Sequence, residues 1–328
     1  SPENFESLKQ EAGIREIMTF LPFDCHVSMG DSTMHPVPTV SDIHLKNKTA
    51  LRRLEDITGS CITSFDRLLQ ALDALFEAYH AAGVRAIKFG SGYRRRLDYR
   101  LTSRADAESC FVEAMRDIPC GDTILCGAVQ GGMSEERLRP LDDFLAFYMT
   151  EKAGDYGMGV FFHCGLHAWN ANDPDAAKIS GLRELIALHP HVSFTLLHCG
   201  YPYIDDALLL AKYYPNVHLN LTWVHILDRI KAVELMRRMV ELLPVNKVEG
   251  FGGDYCCLAL TAEHLRVARE NIARALSLYV DEGAELRTMG ALGYDVGTIG
   301  NHEFDHKGAG FAQMLRSAVS SGDTLPKL

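Results

Sequence analysis

The chain has no apolar run near the roughly 20 residues that a membrane span requires. Its first residues, SPENFESLKQEAG, lack the apolar core of a secretory signal. Both absences point to a soluble protein that neither crosses nor rests on a membrane. No GxGxxG follows the first apolar strand, so a dinucleotide site is not supported. No basic stripe is present: the net charge is −10, which excludes the phosphate neutralisation that nucleic-acid binding demands. The one dense basic cluster, Arg94, Arg95 and Arg96 with Arg100, is too short for that task but could hold an anionic substrate. The nine cysteines have no zinc-ribbon spacing, and Cys256 and Cys257 are adjacent. An odd, scattered set reads as buried packing residues in a reduced, cytoplasmic compartment.

What is present is an alternation. With 47% apolar residues in 328, the chain can bury a large core unaided. Short apolar, β-branched runs at 84–89, 123–129, 159–163, 192–198, 217–222 and 247–252 are strand candidates. Helical periodicity fills 64–82, 141–153, 179–189, 204–214, 232–243 and 262–279. Another strand candidate, MTFLPFDCHV, lies within 16–27 and is followed by a polar loop rich in Asp, Ser and Pro. The best position for an eighth strand is 56–63, DITGSCIT. Repeated βα units of this number predict an α/β protein with the (β/α)8 TIM-type barrel fold.

Four strands end in a histidine or aspartate followed by small residues: FDCHVS (Asp24, His26, Ser28), VFFHCG (His163), FTLLHCG (His198) and GFGGDY (Asp254). In a parallel barrel all C-terminal strand ends open on one face, so these residues converge there. Imidazole nitrogen and carboxylate oxygen suit a divalent transition metal, with Zn2+ first and Mn or Fe as alternatives. Gly165, Gly200, Gly252 and Gly253 leave room for substrate and for the backbone turn. Lys88, Arg94, Arg95 and Trp223 are positioned to face a small-molecule substrate; His35, His167 and His225 read as loop residues, one of which could supply a further imidazole.

In order and spacing, these four motifs resemble the amidohydrolase superfamily over about 15–282, most of all the branch of uronate-isomerase-like proteins and metal-dependent hydrolases and decarboxylases. The resemblance implies a mononuclear or binuclear divalent metal. It implies His26 and His163 as ligands, His198 as a ligand or polarising group, and Asp254 as a ligand that also moves a proton. The family's first strand carries HxH; here Ser28 stands where the second histidine belongs. A metal-activated water, Asp254 as general acid/base and His198 at the developing oxyanion would serve hydrolysis, and the same apparatus would serve decarboxylation or isomerisation of a small carboxylated or sugar-acid substrate. A catalytically degenerate, ligand-binding barrel is the reading that Ser28 leaves open, as is a homo-oligomer.

The chain divides at about 283. Residues 284–328 break the βα pattern, and their GNHEFD segment resembles the metallophosphoesterase motif of the 5'-nucleotidase-like family, in which Asn301 would bind metal and His302 would stabilise a leaving group. The other motifs of that dimetal centre are missing; a 5'-nucleotidase-like phosphoesterase activity of the tail is kept as an alternative reading, and the tail is expected to be no independent domain.

Overall fold

A computed structural model describes residues 2–25, 33–46, 48–117, 124–125, 128–129, 133–168, 170 and 172–282. His26, Ser28, Asn301 and His302 lie outside the described residues, as does the whole tail.

The strands are β1 (Ile17–Pro22), β2 (Met34–Thr39), β3 (Ala86–Phe89), β4 (Ile124–Leu125), β5 (Ala128–Val129), β6 (Gly159–Phe162), β7 (Phe194–Leu196), β8 (Val217–Asn220) and β9 (Val248–Glu249). Seven of them form one sheet in the order β1-β2-β3-β6-β7-β8-β9, every neighbouring pair parallel. This is the curled sheet of a TIM-type α/β fold, and its strand ends share one face. Between the strands run α1 (Pro2–Glu11), α2 (Lys48–Thr58), α3 (Phe65–Ala81), α4 (Arg104–Asp117), α5 (Glu135–Asp155), α6 (Arg183–Leu188), α7 (Ile204–Tyr213), α8 (Val224–Leu227), α9 (Arg229–Leu242) and α10 (Leu258–Glu282). Among the described residues no helix is long and apolar enough to cross a membrane.

Two expectations are corrected. The 56–63 segment is no strand: α2 runs to Thr58, because Leu51 and Leu54 recur at helical spacing and are buried on one face. The missing strand is β2, MHPVPT, which the prolines disguised. Residues two apart present their N–H groups to the same side, so Pro36 and Pro38 remove two successive donors from one side of the strand. The ladder to β1 keeps six register pairs, whereas the ladder to β3 is the single pair Thr39↔Lys88. Among the described residues the 123–129 candidate does not join the barrel sheet either: β4 and β5 pair with each other, antiparallel, and β3 pairs directly with β6.

Helix α3 shows how the pattern becomes structure. The Ser64 hydroxyl accepts from the Arg67 N–H at 3.3 Å and starts the helix. Phe65, Leu68, Leu72, Leu75, Phe76 and Tyr79 repeat every three or four residues and are all buried. Gly83, at φ +75°, lets the chain turn off the end. The Tyr79 hydroxyl then donates to the Phe23 carbonyl, pinning the end of β1. Against the sheet, Phe89 stacks on Phe162 with centroids 4.8 Å apart.

Of the glycines after the ligand motifs, Gly165 is fixed by the turn itself. It has φ +70°, and a Cβ there would lie 2.1 Å from the Tyr201 carbonyl oxygen, a backbone atom that cannot swing away. Gly165→Ala is expected to cost about 3 kcal/mol or more, combining a forbidden dihedral with overpacking. Chemical denaturation checks it; a loss below about 1 kcal/mol, ordinary for an exposed site, would contradict it.

One buried side chain links folding to pH. His264 on α10 is 2% exposed, contacts Phe251 and Tyr255, and has no hydrogen-bond partner for either nitrogen among the described residues. Burial, then the neighbouring His225, pushes its pKa from 6.5 to about 4. The unfolded chain therefore binds more protons than the folded one between these values. The stability from a neutral His264 is complete above pH 6.5 and is lost as pH falls toward 4. A shift of this order corresponds to about 3 kcal/mol in full. Urea unfolding of wild type and His264→Phe across this range should show a smaller pH slope in the variant; identical slopes would refute it.

Candidate active site

The strand ends at β7, β8 and β9 carry an unusual backbone. His198 (φ 59°), Cys199 (φ 47°), Trp223 (φ 61°) and Asp254 (φ 52°) are the four non-glycine residues with positive φ among the described residues. Such conformations are uncommon for side chains of this kind and cluster where geometry is set for function. Here all four follow strands on one face; His198 and Asp254 are singled out by their sequence motifs and Trp223 as a substrate-facing candidate.

His163 and His198 are fully buried and meet: His198 Nε2 lies 3.2 Å from His163 Nδ1. Their outer nitrogens are both engaged. His163 Nε2 faces the Leu166 carbonyl, and His198 Nδ1 faces the Thr222 carbonyl at 3.1 Å. A carbonyl can only accept, so the hydrogen of each neutral ring sits on that outer nitrogen. The two inner nitrogens then present lone pairs to each other with no proton between them. Burial, then His198 and Lys88, drives the His163 pKa down to about 2; burial and Lys88 drive His198 to about 3. A shared proton is therefore absent at neutral pH. Two such lone pairs side by side call for a cation. Their spacing suits neighbouring ligands at about 2.0–2.1 Å each, and N–H groups tied to carbonyls behind them are what orients metal-bound imidazoles.

Trp223 packs on His198 with centroids 4.7 Å apart, and its indole N–H donates to the Asp254 backbone carbonyl at 3.3 Å. It thus joins the β7 and β9 ends. The Asp254 carboxyl is raised by burial and lowered by Lys88. Lys88 is lowered by burial, with Asp254 and Asp42 opposing. The Lys88 ammonium lies over the Phe20 ring, 3.8 Å from its centroid, and its charge is felt by His163, His198 and Asp254 alike. Among the described residues no group of three His, Cys, Asp or Glu is arranged to hold a metal.

Two cavities of about 260 Å³ each open beside this centre and share Tyr93 and Arg94 as walls. One is lined by Lys88, Asp42, His44 and Ser41, the other by Arg95, Arg96, Arg139 and His167. The arginines are spoken for. Arg94 donates to Glu135 at 2.6 Å and Asp142 at 2.7 Å, and Arg95 pairs with buried Asp143 at 2.6 Å. They shape the wall, and Lys88 is the expected substrate-facing cation that pairs with no carboxylate within 4.0 Å among the described residues.

Tyr93, Asp42 and His44 escaped the sequence reading, while His167, read there as a loop residue, lines one of the cavities. The Tyr93 ring lies 4.4 Å from His163 and 4.8 Å from His167, while His167 Nε2 donates to the Gly92 carbonyl at 2.9 Å. Only the SGY that follows the β3 strand could have signalled this. His35 is on β2 with Glu16 at 3.1 Å, and His225 is buried against the Gly250 carbonyl, so neither joins the centre. Asp24 of FDCH is held by Arg53. Cys164 and Cys199 are buried at strand ends as expected, whereas Cys256 is exposed.

The parallel sheet is that of a TIM-type barrel, and His163 and His198 meet at its strand ends. A family profile described as Amidohydrolase matches residues 69–277, more than half of the sequence, and the chain belongs to that family. Protein fluG of Emericella nidulans is 31% identical over 193 residues, which are 56% of this chain and 21% of that protein. The chain thus spans about a fifth of that relative's length. Among solved structures, a uronate isomerase of Thermotoga maritima superposes with a TM-score of 0.65 at 13% identity, covering 94% of this chain and 69% of that one. A Lactobacillus casei protein assigned as a metal-dependent hydrolase gives 0.61 at 15% identity, covering 96% and 73%. At these identities the two structures show the shared fold.

Proposed function

We propose that the chain is a metal-dependent hydrolase of small carboxylated substrates, with residues 1–283 as the catalytic unit and 284–328 as an appended tail. The facing lone pairs of His163 Nδ1 and His198 Nε2 carry this reading. These two nitrogens would hold a divalent ion, Zn2+ by ligand type, with His26 and Asp254 as the further ligands that the family resemblance implies. Once bound, the ion supplies Lewis acidity and a water acidic enough to ionise near neutral pH. Asp254, half-buried at the end of β9, accepts the proton of the attacking water and returns it to the leaving group. Trp223 fixes the backbone of Asp254 through its indole N–H. Lys88 attracts the substrate's carboxylate, and its charge opposes the burial that raises the Asp254 carboxyl. The seven described cysteines are all free, which fits a reducing, cytoplasmic setting.

The test is hydrolysis of a panel of N-acyl amino acids, amides of dicarboxylic acids and lactones by the metal-loaded protein. Asp254→Asn should lower kcat by about 10²–10⁴-fold, the usual worth of a general base, and KM should change little. Undiminished turnover in Asp254→Asn would overturn the assignment. Release of CO2, or aldose–ketose interconversion without hydrolysis, would redirect the reaction type to decarboxylation or isomerisation.

A further inference from the structure

The cavity beside β2 and β3 holds two groups of opposite charge, Lys88 and Asp42, that feel each other's field but form no ion pair within 4.0 Å. Its walls include Ser41, Asp42, His44, Lys88, Tyr93 and Arg94. Most charges around it are spent. Arg94 is matched by Glu135 and Asp142, Lys46 by Glu135 at 3.0 Å, and Arg53 by Asp24. His44 accepts from the Lys46 N–H at 3.2 Å through Nδ1, so its hydrogen is on Nε2, and burial keeps the ring neutral. The Lys88 ammonium and the Asp42 carboxylate remain. Among the described residues neither has a hydrogen bond, and no ion pair within 4.0 Å joins them to each other or to anything else.

Their placement is built in. Thr39 is the register partner of Lys88 across the β2–β3 ladder. The 3-10 turn Val40–Asp42 then carries Asp42 onto the same cavity, and the Gly90 N–H donates to the Ser41 hydroxyl at 2.8 Å, stitching the two strand ends together. A simple carboxylic or sugar acid would use Lys88 and leave Asp42 facing neutral hydroxyls or repelling the substrate. A ligand that carries both an ammonium and a carboxylate satisfies both walls.

Resting on the hydrolase reading above, we infer that the Asp42–Lys88 cavity is a zwitterion subsite, and that the substrate presents a free α-amino acid head group. Lys88 takes the carboxylate, Asp42 takes the ammonium, and the His44 Nε2–H adds a donor. The cavity's volume of about 260 Å³ restricts this part of the substrate to a small molecule. The remainder extends past Tyr93, whose ring lies against His163.

Binding, rather than turnover, tests this. Calorimetry and thermal-shift assays are run on the full-length, metal-loaded protein with the free L-amino acids. Each binder is then compared with its N-acetyl derivative, its amide and its 2-hydroxy acid analogue. At least one amino acid should bind, and each of the three altered probes should bind at least about tenfold more weakly, as loss of a charge-assisted contact implies. Asp42→Asn should weaken the amino acid by a similar factor while leaving the 2-hydroxy acid unchanged or improved. Lys88→Met should weaken both. Hydroxy acids or hexuronates that bind as well as amino acids, or an Asp42→Asn protein indistinguishable from wild type, would overturn the subsite. So would an absence of binding by every amino acid. The same titrations on metal-free protein separate the two readings: amino acid binding that persists where no metal is taken up leaves the subsite standing and the metal-dependent hydrolase fallen.

Discussion

His198→Asn and His163→Ala should each weaken metal binding by at least about a hundredfold, since altering even the groups behind a metal-bound histidine costs about 10–100-fold. Asparagine is the informative replacement at 198 because it tolerates the left-handed backbone there better than alanine does. The variant can thus keep its turn while losing its nitrogen. The readout is metal per chain after loading and desalting, paired with unfolding. In the wild type, metal at about a hundred times its Kd should add about 2.7 kcal/mol to stability. In both variants that increment should vanish. A variant that folds, keeps its metal and keeps the increment would remove the histidine pair from the site.

Asp143→Ala should cost about 3–5 kcal/mol, the penalty for stranding a buried guanidinium without its counter-charge. Arg95 is 8% exposed and Asp143 2%, and they meet at 2.6 Å. Two apolar residues in their place, Arg95→Met with Asp143→Leu, should recover most of that loss, because replacing a whole buried pair is often neutral. Thermal unfolding of the single and double variants measures this. The pair also decides what Arg95 does. A double variant with normal stability and unchanged substrate affinity confirms a structural arginine. A raised KM in the stable double variant would restore the sequence-based expectation that Arg95 holds the substrate.

The sequence exposed the fold where apolar runs and helical stripes alternate, and the candidate site where strands end in His163, His198 and Asp254. Both signals are local, and the barrel's parallel topology turns them into a shared face. What stayed hidden follows from the same physics. Strand β2 is bordered by β1 and β3, yet carries two prolines on one side, a composition that reads as loop until its pairing is seen. Losing β2 also concealed Asp42 and His44, because a residue cannot be assigned to a strand end when the strand is missed. Arg94 and Arg95 looked like ligand-binding arginines because their counter-charges, Glu135, Asp142 and Asp143, lie some 40 residues away on α5. The tautomers of the histidine pair could not be read at all, since they depend on the carbonyls of Leu166 and Thr222.

The paired lone pairs can be observed directly. In protein labelled with 15N-histidine, long-range proton–nitrogen correlation spectra report which ring nitrogen carries hydrogen and which binds metal. His163 should appear as the Nε2–H tautomer and His198 as the Nδ1–H tautomer, and stoichiometric Zn2+ should shift His163 Nδ1 and His198 Nε2 while their partner nitrogens stay protonated. If either ring instead titrates near the ordinary 6.5, or if Zn2+ leaves both inner nitrogens unmoved, these two histidines are not a metal site.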